Sequence, residues 1–155
     1  EALCELTKGT KQVKDLKKGD ILLDGGIVKC LVKTRNKETK QQVVRINGAL
    51  FTPYHPICVN GEWIFPCNLY KVETQEVEYW YNIVVEGDKT VRLNGTKAIT
   101  LGHGMTEGVL KHPYFGTELV IDALSKYSGF NDGFIEADEK EAVIDESTGM
   151  ISSYF

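Results

Sequence analysis

The sequence predicts an all-β domain, and three features of the chain carry that prediction. Short apolar runs recur between turn-forming residues over roughly the first two thirds of the chain. Three Asn-Gly pairs, which favour tight hairpin turns, begin at Asn47, Asn60 and Asn94. Residues 77–85 alternate in polarity and carry aromatic side chains, as a strand with one buried face does.

The predicted strands are short and follow one another with little chain between them. In chain order they comprise residues 21–23, 28–32, 43–46, 57–59, 77–85 and 91–93. The first ends at Asp24-Gly25-Gly26, and three of the others end at one of the Asn-Gly pairs. Many short strands joined by tight turns are typical of a sandwich or a barrel-like fold.

The pattern changes after residue 104, where we predict one short helix. The Thr117 side chain can cap a helix over residues 118–126, and residues 128–129 would end it. Its apolar face would comprise Leu119, Val120, Ala123 and Leu124. Because soluble domains avoid exposed apolar patches, we expect this segment to fold back and pack on the β-structure.

Composition limits the classes of function. The chain has 155 residues, of which 42% are hydrophobic and 26% charged, which suits one globular domain. No apolar run approaches the ~18 residues of a membrane-spanning helix. A formal net charge of −4 argues against nucleic-acid binding, which needs a basic surface. The chain does not begin with Met and shows no signal peptide, so we expect a piece of a longer polypeptide.

The four cysteines lack the spacing of a zinc site, because no two stand in a C-x-x-C pair. Cys30 and Cys58 lie in predicted strands and are expected to be buried, and Cys67 has a similar setting. Cys4 must stay unpaired if it reacts as a thiolate, which favours a reducing, cytoplasmic compartment. We predict no metal and no cofactor.

Cys4 is the residue that most directly suggests chemistry. Only three residues precede it, so the nearest carbonyl is that of its own preceding peptide bond. A T-P-Y-H-P run at residues 52–56 supplies a histidine that titrates near neutral pH. The two features together indicate a reaction of the chain on itself, at the Leu3–Cys4 bond.

Four features in a fixed order carry a resemblance to a known family. They are Cys4, the run VKDLKKGDIL at residues 13–22, TPYHP at 52–56 and YNIVVEGD at 81–88. Together they resemble the Hint domain of inteins and of the autoprocessing half of Hedgehog proteins. The runs TLGHG at 100–104 and HPYFG at 112–116 are similar to the Vint branch, found in proteins with von Willebrand A-type domains.

The resemblance implies a horseshoe of short strands with two pseudo-symmetric halves, a small C-terminal extension, and N–S acyl shift chemistry. Sulfur of Cys4 would attack the Leu3 carbonyl, and His55 would protonate the leaving amine as general acid. The Thr52 hydroxyl would hydrogen-bond the scissile amide if the two prolines bend the segment. Water, a thiol or an amine would then resolve the thioester and release the upstream polypeptide, which is the substrate.

The resemblance suggests roles for two further residues. His103 could assist the N-terminal site, whereas in inteins a histidine here precedes an asparagine that cyclises. Gly104 stands in its place, so we expect N-terminal cleavage without splicing. Asp88 is a further catalytic candidate, beside Lys89 where the family often has His or Asn. We divide the chain into an upstream remnant (1–3), a Hint domain (4–104) and a C-terminal extension (105–155).

Two other readings of the same residues stay open. The domain could have lost activity and act as a binding or spacer module on a Hint-like scaffold. It could also bind a metal ion through Cys4, His55, His103 and another cysteine, although their irregular spacing disfavours this.

Overall fold

A computed structural model describes residues 2–112, 114–138, 142–144 and 151–154, the last two ranges by their backbone. It confirms the predicted class, since strands dominate and one short α-helix is present. The described strands are β1 Leu3–Leu6, β2 Gly9–Gln12, β3 Ile27–Arg35, β4 Lys40–Ile46, β5 Ala49–Phe51, β6 Ile57–Val59, β7 Glu62–Ile64, β8 Val72–Glu76, β9 Tyr79–Glu86, β10 Thr90–Leu93, β11 Thr96–Ile99, β12 Phe134–Asp138, β13 Ala142–Ile144 and β14 Ile151–Tyr154. The helix α1 spans Glu118–Ser125.

The described strands form four sheets. The largest has six strands in the order β2-β1-β10-β11-β6-β7, so it joins the first strand to strands from the middle of the chain. Three-stranded sheets have the orders β12-β3-β9 and β5-β4-β8, and β13 pairs with β14. In the six-stranded sheet every described pairing is antiparallel, and the pairs β1–β2, β6–β7 and β10–β11 join consecutive strands through short turns.

All three Asn-Gly pairs form the tight turns that the sequence predicts. Asn47, Asn60 and Asn94 have φ angles of 51°, 52° and 48°, and the glycine after each also has a positive φ. Two consecutive left-handed residues define the type I′ turn, whose twist matches that of the strands it joins. The Asn94-Gly95 turn joins β10 to β11 and lies at the same edge as the start of β1.

Two of the predicted strands need correction. Residues 21–23 make only isolated bridges, Ile21 to Ile27 and Leu22 to Leu6, because the Asp24–Gly26 turn reverses the chain at once. Residues 77–85 are not one strand, since Val77 ends the preceding segment by donating its N–H to the Thr39 carbonyl. The long strand begins two residues later, as β9.

Two apolar clusters form the core. The first lies under the six-stranded sheet and includes Cys4, Leu22, Val44, Ile57 and Val91. The second joins β3 and β9 to the chain after residue 100, and includes Cys30, Val84, Leu101, Val120 and Leu124. The β12 strand also pairs in parallel with β3, so residues before and after 104 share both a core and a sheet.

The helix forms where the sequence predicts it. The Thr117 hydroxyl accepts a hydrogen bond from the Leu119 N–H, as an N-cap side chain does. Val120 and Leu124 are buried, and Ala123 is partly buried against the second cluster. The prediction is wrong for Leu119, whose side chain is 59% exposed, because the buried face is narrower than the four positions assigned to it.

Ala2 and Leu3, which the sequence assigns to an upstream remnant, are hydrogen-bonded to the rest of the domain. The Ala2 carbonyl accepts from the Val13 N–H at 3.1 Å. Leu3 donates its N–H to the Asn94 side-chain oxygen at 2.7 Å, and its carbonyl accepts from the Asn94 N–H at 2.9 Å. Among the described residues, no helix is long and apolar enough to cross a bilayer.

The second cluster makes a testable prediction about the chain after residue 104. Leu124→Ala removes a fully buried side chain and should lower the free energy of unfolding by about 2–5 kcal/mol. Leu119→Ala, on the exposed face of the same helix, should change it by less than about 0.5 kcal/mol. Urea denaturation of both variants measures the difference. Equal effects of the two substitutions would mean that α1 does not pack on the β-structure.

Candidate functional site

The T-P-Y-H run forms a tight turn between β5 and β6. The His55 N–H donates to the Thr52 carbonyl at 3.1 Å, which closes a four-residue turn. Pro53 stands at the second position of this turn, where a fixed φ near −65° is favourable. The chain therefore bends at this segment, with Pro53 inside the turn, and Thr52 and His55 lie at its two ends.

The His55 ring is held by a single described hydrogen bond. Its Nε2 lies 2.9 Å from the Ile99 carbonyl at the end of β11, and since a carbonyl only accepts, Nε2 carries the proton. The ring also contacts Phe51, with centroids 6.2 Å apart. Burial, opposed by the Ile99 bond and supported by His103, lowers the pKa of His55. At neutral pH the ring is therefore uncharged, and Nδ1 has an available lone pair.

His103 is close enough to His55 to lower its pKa, and the His103 ring accepts one described hydrogen bond. Its Nδ1 accepts from the Met105 N–H at 2.9 Å, and the backbone of Leu110 acts on the ring in the direction that raises its pKa. Burial and then the neighbouring His112 lower the pKa of His103, against the effect of the Leu110 backbone. Of the chain's three histidines, His103 thus lowers the pKa of His55, and His112 lowers the pKa of His103.

The other two predicted site residues, Thr52 and Asp88, have different surroundings. The Thr52 hydroxyl makes no hydrogen bond that the structure describes, so it is available to a substrate near His55. Asp88 is exposed, and its carboxylate accepts from the N–H of Thr90 at 2.9 Å and from the Thr90 hydroxyl. Asp88 thereby closes the turn between β9 and β10, which is a structural task. The Lys89 amine donates to the Val85 carbonyl at 2.7 Å.

Cys4 is a core residue in the middle of a sheet. Its side chain is fully buried, and its backbone lies between Lys11 of β2 and Leu93 of β10. The thiol lies 3.9 Å from the Glu5 carbonyl, to which it donates. Burial, followed by the charges of Glu5 and Asp20, raises the pKa of the Cys4 thiol to about 12. The thiolate that attacks a carbonyl is therefore strongly disfavoured in this conformation.

The strand register separates Cys4 from His55. Cys4 lies opposite Leu93, Leu93 opposite Thr96, and the β11–β6 register continues to Val59, which is four residues after His55. Four residues span roughly 13 Å, and three strand spacings add roughly 14 Å at right angles. The strand register thus keeps Cys4 away from His55, whereas His103 is close enough to His55 to lower its pKa.

The remaining cysteines divide by exposure. Cys30 is buried in the second cluster, as predicted, and burial raises the pKa of its thiol to about 11. Cys58 and Cys67 are partly exposed, so the expected burial of Cys58 is wrong: it lies on β6, near the edge of its sheet. All four thiols are unpaired. Over the described ranges, no three His, Cys, Asp or Glu side chains are grouped to hold a metal ion.

Two backbone contacts of the site have no signal in the sequence. Ile99 contributes only a carbonyl, and an apolar side chain in a strand says nothing about where its backbone points. Asn94 was predicted as a turn residue, but it also binds both polar backbone groups of Leu3. Leu3 and Asn94 come together only because the fold pairs β10 with β1.

The chain matches one protein-family model. That model is described as Vint: Hint-domain, and it covers residues 2–153. The match includes both the strands before residue 104 and the helical segment after it. No curated protein matches the chain significantly.

The burial of Cys4 predicts the order in which the thiols react. In the native chain an aromatic disulfide reagent should modify Cys58 and Cys67 first, because both are partly exposed. Cys4 and Cys30, whose side chains are fully buried, should react far more slowly. Peptide mass spectrometry after timed labelling identifies each thiol, with Cys30 as the buried control. Labelling of Cys4 as fast as Cys58, with Cys30 still protected, would mean that β1 leaves its sheet in solution.

The lowered pKa values of His55 and His103 predict a loss of stability in acid. Below the ordinary pKa of 6.5 the unfolded chain binds protons on these rings that the folded chain does not. Stability is therefore full above pH 6.5 and falls as the pH drops through the lower folded-state values. Thermal melts between pH 7.5 and pH 5 should show this decline, and His55→Gln should reduce it. A decline of equal size in that variant would contradict the assignment.

Proposed function

The chain belongs to the Vint family of Hint domains, and we propose that it cleaves its own polypeptide by an acyl shift in which His55 transfers the proton. Hint domains in general process the polypeptide that contains them. The supporting observation is the state of His55, whose Nε2–H is fixed on the Ile99 carbonyl. That bond leaves Nδ1 as the one ring atom that can exchange a proton with a reacting group.

The neutral state of His55 sets the order of proton transfers. A ring with a free Nδ1 lone pair must first accept a proton, so it begins as a base and not as the general acid that the sequence suggested. It takes the proton of a thiol, and the sulfur attacks the carbonyl carbon of the scissile amide. As the C–N bond breaks, Nδ1–H returns that proton to the leaving amine.

The products of this step balance without a cofactor. One amide and one thiol become one thioester and one amine, and the proton moves from sulfur to nitrogen through His55. An external nucleophile such as water, a thiol or an amine then attacks the thioester and releases the upstream polypeptide. The Thr52 hydroxyl, at the other end of the same turn, is placed to hydrogen-bond the amide before it breaks.

The thiol that the sequence predicts, Cys4, can take this role only after a conformational change. In the described conformation it is buried, its pKa is about 12, and it is far from His55. The start of β1 must separate from Lys11, Leu93 and Asn94 before the Leu3–Cys4 bond reaches the histidine. The role of Cys4 as nucleophile therefore stays a prediction.

The same observation favours a second candidate function. A Hint domain in which Cys4 stays buried in the core would be inactive. The domain would then serve as a binding or spacer module. Incubation with a thiol separates the two functions. An active domain releases a reporter protein fused ahead of residue 1, whereas an inactive one keeps the fusion intact.

His55→Gln is the variant that tests the proton-transfer role. In the reporter fusion it should slow thiol-induced release by roughly 10²- to 10⁴-fold, because an amide cannot accept and return the proton. Tyr54→Phe, in the same turn, is the matched control, since it keeps the ring packed edge-on against Phe65. Its release rate should equal that of the parent. The mass of the reporter fixes the junction, and a reporter ending at Leu3 identifies Cys4 as the thiol.

An unchanged rate in His55→Gln, with a native circular dichroism spectrum, would remove His55 from the mechanism. An intact fusion in the parent chain under all thiol conditions would favour the inactive module.

A further inference from the structure

The segment after residue 104 clamps the backbone on both sides of His103. The Gly102 N–H donates to the Phe115 carbonyl at 2.7 Å, and the Gly104 N–H donates to the Gly116 carbonyl at 2.9 Å. These two hydrogen bonds hold the backbone of residues 102–104 against Phe115 and Gly116. His103 lies between the two bonded glycines, so the position of its backbone depends on Phe115 and Gly116.

The His103 ring is fixed independently of its backbone. Because Nδ1 accepts from the Met105 N–H, the neutral ring carries its proton on Nε2. The backbone of Leu110 acts on the same ring and raises its pKa. The Met105 bond thus selects one tautomer. A ring held in this way does not exchange protons with a substrate, so its effect on His55 is that of a nearby polar and titratable group.

Gly116 lies so close to this ring that a methyl group in its place would displace the ring or the neighbouring backbone. A Cβ atom on Gly116 would lie 3.0 Å from His103 Cε1, 3.1 Å from Nε2 and 3.0 Å from the His112 carbonyl oxygen. Gly116 is not among the residues with a positive φ, so its backbone does not itself require glycine. The requirement for glycine comes from contact with the ring.

We propose that Gly116 is a positioning residue, which holds the His103 ring at a fixed place beside His55 and so makes the HPYFG run part of the reaction site. This inference rests on the proposed function of His55. Under this proposal residues 112–116 have a role in the reaction. Without it, the contact between Gly116 and His103 would serve only packing. It also explains why the reaction site would need residues that follow the last strand of the six-stranded sheet.

The first test does not depend on activity. A methyl group at Gly116 must push the ring by a few tenths of an ångström, which weakens the effect of the Leu110 backbone and lowers the pKa of His103 further. An NMR titration of the ring in Gly116→Ala should show that decrease. Lys111→Ala, an exposed change in the same segment, should leave the titration unchanged. A titration of His103 identical in Gly116→Ala and the parent would overturn the proposal.

The unmodified chain gives a second measurement, should Gly116→Ala not fold. Nitrogen chemical shifts of the neutral His103 ring should report one tautomer, with the proton on Nε2. Two tautomers in rapid exchange would mean that the segment does not hold the ring, and would overturn the proposal.

Reporter release then tests whether Gly116 acts through His103. Gly116→Ala should slow release by about tenfold, as a small misplacement near a reacting group does. In a His103→Gln background the same substitution should have no further effect, because the group it positions is gone. Additive effects of the two changes would contradict positioning. If the parent releases no reporter, the proposed function fails while the NMR tests still decide whether Gly116 positions the ring.

Discussion

The hydrogen bond between the His55 ring and the Ile99 carbonyl is the contact on which the candidate site depends. It joins the turn after β5 to the end of β11, two segments that are 44 residues apart in the chain. The bond fixes the tautomer, and with it the atom that can move a proton. Burial then keeps the ring uncharged, because a charged ring in this place loses hydration that one carbonyl does not replace.

The class of the fold could be predicted because its signals are local. Asn47, Asn60 and Asn94 each begin a turn whose left-handed backbone their own short side chains tolerate. Thr117 caps the helix for an equally local reason, a hydroxyl within reach of the Leu119 N–H. The order of strands in the six-stranded sheet has no such signal, because pairing between β1 and β10 depends on contacts across about ninety residues.

The same distinction explains the errors at the site. His55 was identified because a histidine in a proline turn is visible in the sequence. Its partner Ile99 was missed because it offers only a backbone carbonyl. Cys4 was assigned from its position near the first residue, which says nothing about burial. Cys4 occupies a position of β1 whose side chain points into the core. The alternation of side chains along the strand, and not the place of Cys4 in the chain, therefore decides its exposure.

The segment after residue 104 links stability to the reaction site through a shared set of contacts. Tyr114, Val120 and Leu124 pack with β3 and β9 in the second cluster, so the segment cannot leave without exposing a core. Phe115 and Gly116 hold the backbone on either side of His103 from that same segment. The free energy that keeps the helix on the sheet therefore also keeps the ring beside His55. A change deep in this core, far from either histidine, would move the ring if it let Phe115 and Gly116 shift, because packed side chains transmit displacement and do not absorb it.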